Sequence, residues 1–237
     1  MFDLRERLES PYRGQRVDLG PEGWLHVLPI PLHWFVYSLA SPGFYRWINL
    51  TSNEILEGEG FLHQEKNWGK SFPPEWVWTE GYDPFQNITY AGTFGTLNFG
   101  PFLVPAMLFG YRNYKRGLSI DFRPDNSFVT KDLNPCKGLA SVTIYSVRYT
   151  VYVNISAPQS TFETCLCGPN DYGFYPLVTE SFVSTTRIQV KEHLTWWDSV
   201  YRSGAIIEDA VIQRVALEFG GAFMCDRNPC SKKTTCG

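Results

Sequence analysis

Residues 63–81, HQEKNWGKSFPPEWVWTEG, crowd His63, three carboxylates (Glu65, Glu75, Glu80), two lysines (Lys66, Lys70) and three tryptophans (Trp68, Trp76, Trp78) around a Pro-Pro pair. Side chains two apart on a strand share a face, so His63, Glu65 and Asn67 point one way and Gln64, Lys66 and Trp68 the other. Trp76, Trp78 and Glu80 share a face in the same manner. If residues 69–74 close a hairpin, the strands of Glu65 and Trp78 are adjacent, and one wall gathers His63, Glu65, Asn67, Trp76, Trp78 and Glu80. Such a wall can hold an apolar substrate, stabilise a developing cation against indole faces, and move a proton through a carboxyl whose pKa is raised by burial. A plainer reading stands beside it. A Glu–Lys or Glu–Trp contact often only fixes a hairpin, and tryptophans paired on strands are more often core than site. His33 shares a strand face with Phe35 and Tyr37, where a lone histidine is usually a satisfied core residue. His26 and His193 have no supporting context.

The elements that must position these groups are strands. Alternation of apolar and polar residues runs through 140–156, which predicts one long half-buried strand with Asn154 on its wetter face. Similar runs occupy 33–41, 87–100, 117–124, 185–194 and 205–219, separated by Gly, Pro, Asn and Asp clusters. The last run is partly compatible with helical periodicity, but its β-branched residues and the Gly220-Gly221 stop favour a strand. Many strands with little helix predict an all-β, antiparallel barrel or barrel-like sandwich, and barrels of this size enclose a pocket. The domain is expected over 24–223, between an N-terminal arm (1–23) and a cysteine-rich tail (224–237).

With 237 residues and 43% hydrophobic content, the chain can bury a full core. A formal charge of −3 offers no field for nucleic acid. The apolar stretch 101–109 is too short for a membrane span and is broken by Pro105. No nucleophile elbow, Cys–His signature, phosphate loop or dinucleotide motif is present, so hydrolase, nucleotide and cofactor chemistry lack support. Six cysteines form an even set and three N-x-S/T sequons lie at Asn49, Asn87 and Asn154. Together they point to an oxidising compartment, the secretory pathway or the cell exterior, although the N-terminus does not read as a signal peptide. At least one disulfide is expected, with Cys165 or Cys167 bonded to a distant cysteine, since bridging across Leu166 is strained. The tail lacks zinc-site spacing, and no metal is expected.

HQEKNWGKSFPPEWVW resembles the EKNWG…FP…W-W signature of the tocopherol cyclase-like proteins, whose lipocalin-like architecture is shared with carotenoid hydratases and with fungal lipocalin-like cyclases and Diels-Alderases. The resemblance continues in the Gly23-Trp24 pair, in PLHWFVYSLAS (31–41) and in VALEFGGAF (215–223). It implies a cofactor-free enzyme that protonates or templates a polyunsaturated, often prenylated, substrate so that a ring closes or water adds. The matched positions are His33, Trp34, Glu65, Lys66, Asn67, Trp68, Gly69, Phe72, Pro73, Trp76 and Trp78. Glu80 stands where the family usually has Gln. The family also carries strands ahead of the Gly-Trp pair that this chain does not show, so a partner or second copy that completes the barrel is a further expectation.

Two functions follow as expectations. One is a cyclase or isomerase acting on an apolar polyene or prenylated metabolite, with Glu65 or Glu80 as proton donor, His33 or His63 assisting, and Tyr37, Asn67, Trp68, Trp76 and Trp78 shaping the substrate site. The other is a secreted lipocalin-like carrier that binds a similar hydrophobic ligand without turnover. A carboxyl that faces the cavity unpaired favours the first; Glu65 locked to Lys66 or another base, away from every cavity, favours the second.

Overall fold

The structure, a computed structural model, describes residues 20–99, 101–170, 173–201, 203–227, 229–232 and 236. Residues 1–19 of the expected arm and part of the tail lie outside them. After a 3₁₀ segment (Gly20–Val27), the strands are β1 (Leu32–Ile48), β2 (Ile55–Gly69), β3 (Glu75–Asp83), β4 (Ile88–Phe99), β5 (Phe102–Asn113) and β6 (Leu118–Phe122). They continue with β7 (Ser127–Asn134), β8 (Leu139–Ser146), β9 (Tyr149–Ser156), β10 (Thr164–Asn170), β11 (Gly173–Glu192) and β12 (Ala205–Gly221). Among the described residues the α-helix is confined to α1 (Trp196–Tyr201). No helix there is long and apolar enough to cross a membrane.

One large antiparallel sheet runs in the order β6-β5-β4-β3-β12-β11-β9-β8-β7, with β10 also paired to β11. It rolls so that side chains from β3, β4, β5, β6, β8, β9, β11 and β12 meet in one core that includes Val77, Phe94, Phe109, Phe122, Ile144, Ile188 and Leu217. β6 and β7 are not hydrogen-bonded to each other, so the roll is a barrel-like sandwich rather than a closed barrel. The core's buried Tyr90 hydroxyl lies between Thr79 and Thr186, 3.0 and 2.7 Å away, so its polar end is satisfied.

β1 and β2 form a separate two-stranded hairpin. It lies on the outer face of the sheet, where Trp34, Val36 and Leu39 pack with Ala91, Trp78 and Leu108. This corrects the expected hairpin between β2 and β3. Both edges of β3 are already filled, by β4 and β12, and leave no edge for β2 to pair with. The connection at 70–74 instead steps between layers: Lys70 N–H donates to Pro31 and Phe72 N–H to Pro169.

The single strand expected over 140–156 is two strands that pair with each other, β8 and β9. The Ser146 hydroxyl closes the turn, accepting from Tyr149 N–H and donating to its carbonyl. Asn154 is exposed, as expected. Pro105 is tolerated in β5 because β6 covers only Phe109–Asn113 of that strand and leaves the stretch around Pro105 as a free edge. Three disulfides close the molecule, Cys136–Cys225, Cys165–Cys230 and Cys167–Cys236, consistent with an oxidising compartment.

Candidate active site

The rolled interior is filled by side chains, and the cavity lies on the sheet's other face, roofed by the hairpin and the 3₁₀ segment. Which residues face it depends on two bulges. The core-side residues of β12 are Glu208, Ala210 and Ile212, then Val215, Leu217 and Phe219, with Ala216 and Gly220 buried on the opposite face, so the parity switches at Arg214, which adopts φ 57°. The partner strand β11 switches as well: Thr179 and Ser181 are buried before an irregularity at 182–183, and Ser184, Thr186 and Ile188 after it. A bulge re-aims the side chains beyond it. Here both carry a glutamate, Glu180 and Glu218, from the core side to the cavity side, and the two are direct cross-strand partners.

β3 presents Trp76, Trp78 and Glu80 to the same outer face, and β2 descends on them from the hairpin. Glu65 Oε2 accepts from Trp34 Nε1 (2.8 Å), Trp78 Nε1 (3.2 Å) and His63 Nε2 (3.1 Å). His63 Nδ1 is 3.4 Å from Glu80 Oε2, an ion-pair distance, but it makes no hydrogen bond there. Burial pulls the His63 pKa down, but the hydrogen bond to Glu65 and the charges of Glu80 and Glu65 outweigh it and leave it raised. Burial raises Glu80. Burial together with the Glu80 and Glu65 charges lifts Glu180 to about 7. Glu218 is pushed up to about 8 by burial and by the Glu180 and Glu65 charges, against the donated Trp76 Nε1–H.

The cavity measures about 460 Å³ and is walled by Trp34, Trp76, Trp78, Leu25, Leu28, Met107, Leu108 and Val178, with Glu22, Glu65, Glu180 and Glu218 on its lining. Of the expected site residues, Glu65, Asn67, Trp76 and Trp78 line it. His63 and Glu80 stand beside Glu65, within ion-pair distance of one another, and are not on the lining. His33, Trp68 and Tyr37 are placed elsewhere. His33 Nδ1 is 2.8 Å from Glu22 Oε2 and its ring stacks on Trp68, which is 40% exposed; Tyr37 packs on Phe35. Lys66 lies over Trp68, away from Glu65.

Glu22, Glu180 and Glu218 were not anticipated. Glu22 is buried and accepts Trp34 N–H as well as contacting His33, so the 3₁₀ segment is clamped onto β1. For Glu218 the signal available was a charge in Val-Ala-Leu-Glu-Phe-Gly-Gly, a run small or apolar on both faces, where a carboxyl has no wet side to occupy.

Two measurable consequences arise here. The folded state holds protons on Glu180 and Glu218 that the unfolded chain releases near the ordinary carboxylate value of 4.5. Between that value and about 8 the folded chain therefore binds more protons, and stability falls as pH rises. His63, with its raised pKa, works in the same direction as pH passes through its folded value. The melting temperature is expected to drop from about pH 5 to about pH 8, and the drop is expected to shrink in Glu218→Gln. An unchanged slope in that variant would contradict the assignment. Second, a Cβ at Gly220 would sit 2.0–2.4 Å from Trp76 indole carbons. Gly220→Ala must displace this 3%-exposed ring, and a loss of about 1–3 kcal/mol is expected by chemical denaturation.

Fold and site together define an antiparallel β-sandwich that holds an apolar, acid-lined cavity between a hairpin and one sheet face. The chain is 26% identical over 212 residues to tocopherol cyclase, chloroplastic, of Zea mays, a match covering 86% of this chain and 42% of that protein. The relationship is a distant, tocopherol cyclase-like one, and the chain spans less than half of that relative's length. No family model matches the chain, and no solved structure matches it significantly.

Proposed function

We propose that the protein is a cyclase or isomerase that closes a ring on an apolar polyene or prenylated metabolite by proton transfer in this cavity, without a cofactor. The observation that carries the reading is Glu65: it lines an apolar cavity, and its Oε2 is held by His63 and by the N–H groups of two lining indoles. All three bonds fall on one oxygen, and Oε1 takes none of them. In a ring closure of this type a proton adds to one substrate carbon and another leaves the atom that closes the ring, so the product is isomeric with the substrate. Glu65 exchanges the proton, and the His63–Glu80 pair behind it restores the charge state. The indoles of Trp34 and Trp78, with the carboxyl lining, stabilise the cation that forms between the two proton steps. The distant similarity to tocopherol cyclase supports the same class of reaction.

Ligand extracted from the purified protein and identified by mass spectrometry supplies the substrate candidate. Incubation with fresh protein is expected to convert it to an isomer. Recovery of the same ligand unchanged would favour the carrier reading, since an aromatic cavity serves either role.

A further inference from the structure

The charges on the cavity are of one sign. Among the described residues its lining holds Glu22, Glu65, Glu180 and Glu218 but no Lys, Arg or His. Elsewhere the chain pairs its carboxylates with bases: Arg112 holds Asp121, Arg148 holds Glu192 and Arg187 holds Asp209. Glu180 and Glu218 have no such partner among the described residues. As direct cross-strand neighbours their Cβ atoms are roughly 4.5–5.5 Å apart, where two like charges repel unless a proton or a cation lies between them. The cavity itself is an independent observation: it is enclosed by the hairpin, the 3₁₀ segment and the sheet, and it is apolar over most of its lining, as the body of an organic ligand requires.

We propose that the ligand of this cavity carries a basic nitrogen on an apolar body, with its ammonium group seated against the Glu180–Glu218 pair. The inference rests on the reading of the cavity as the substrate site. It selects against carboxylates and diphosphates, which would bring negative charge to an acidic lining with no cation to meet it. The ammonium replaces the proton that the pair otherwise holds, so binding releases protons to solvent and tightens as pH rises. The groups that face the pair are Glu65 from β2 and Glu80 from β3, with His63 between those two; none supplies a competing cation at the lining.

Isothermal titration of the full chain with decylamine, decanol and decanoate tests this with three ligands of one apolar body. Decylamine is expected to bind one-to-one about tenfold or more tighter than decanol, with decanoate weakest, because the ammonium gains a charge-assisted contact with the Glu180–Glu218 pair. Its affinity is expected to rise from about pH 6 to about pH 8, with proton release seen as a dependence on buffer ionisation enthalpy. Glu218→Gln and Glu180→Gln should each erase most of the amine's advantage and keep decanol binding, which also shows that the cavity is still formed. If decanol or decanoate binds as tightly as decylamine, or if both variants keep the preference, the amine inference is overturned and the cavity reading stands. If none of the three binds one-to-one, both are overturned.

Discussion

Glu65→Gln is expected to lower turnover by about 10²–10⁴-fold, the usual contribution of a positioned proton-transfer group. Gln keeps the shape of the side chain, and its single carbonyl oxygen can still accept from Trp34, Trp78 and His63, so the fold and the cavity wall should persist. What it loses is the carboxyl group that can take up and release a proton. The defect should therefore fall on kcat more than on KM. Glu80→Gln, one step behind the cavity, is expected to be milder, since it removes one partner of His63 and leaves the other. The reverse order, with Glu80→Gln abolishing turnover and Glu65→Gln only unfolding the protein, would make Glu65 the structural member of the pair.

The second large effect is on stability. Cys136, in the turn between β7 and β8, is bonded to Cys225, just past β12, and the link closes a sequence separation of 89 residues. Tying such distant points restricts the unfolded chain, and the paired Cys136→Ser, Cys225→Ser change is expected to cost about 3–5 kcal/mol in denaturant unfolding. Replacing both cysteines avoids leaving a free thiol to exchange with the remaining bridges. Thiol titration of the denatured, unreduced wild type should find none of the six cysteines free; six free thiols would remove the disulfides and the compartment argument together.

The strands were legible because alternation of apolar and polar residues reports a half-buried strand directly, as over 205–219 and 33–41. The β8–β9 turn was not, because Val147 continues the alternation although it is 77% exposed; the break comes from the Ser146 hydroxyl, a local hydrogen bond that periodicity does not register. Pairing was harder still. A short polar connection between β2 and β3 looks the same whether it closes a hairpin or steps between layers, and the choice was made by β12, which takes the edge of β3 from more than a hundred residues away. Even so, the expected grouping of Glu65 and Asn67 with Trp76 and Trp78 holds in the cavity, because parity along each strand sets the face whichever strand lies beside it. Parity also explains what was missed. Counted without a bulge, Glu218 falls on the face of Glu208, Ala210 and Ile212; the bulge at Arg214 turns it outward, and only a structure shows that. His33 and Trp68 match the family signature yet lie on the hairpin's outer side, where they join the 3₁₀ segment to β2 rather than line the cavity.

The proposed chemistry requires that a proton pass between the cavity wall and a bound apolar ligand. The direct measurement is incubation of the extracted ligand with wild type and with Glu65→Gln in deuterated water, followed by mass spectrometry. The wild type is predicted to yield an isomer carrying one carbon-bound deuteron, and the variant almost none. A ligand returned by the wild type without rearrangement or deuterium would contradict the account and leave the cavity as a binding site alone.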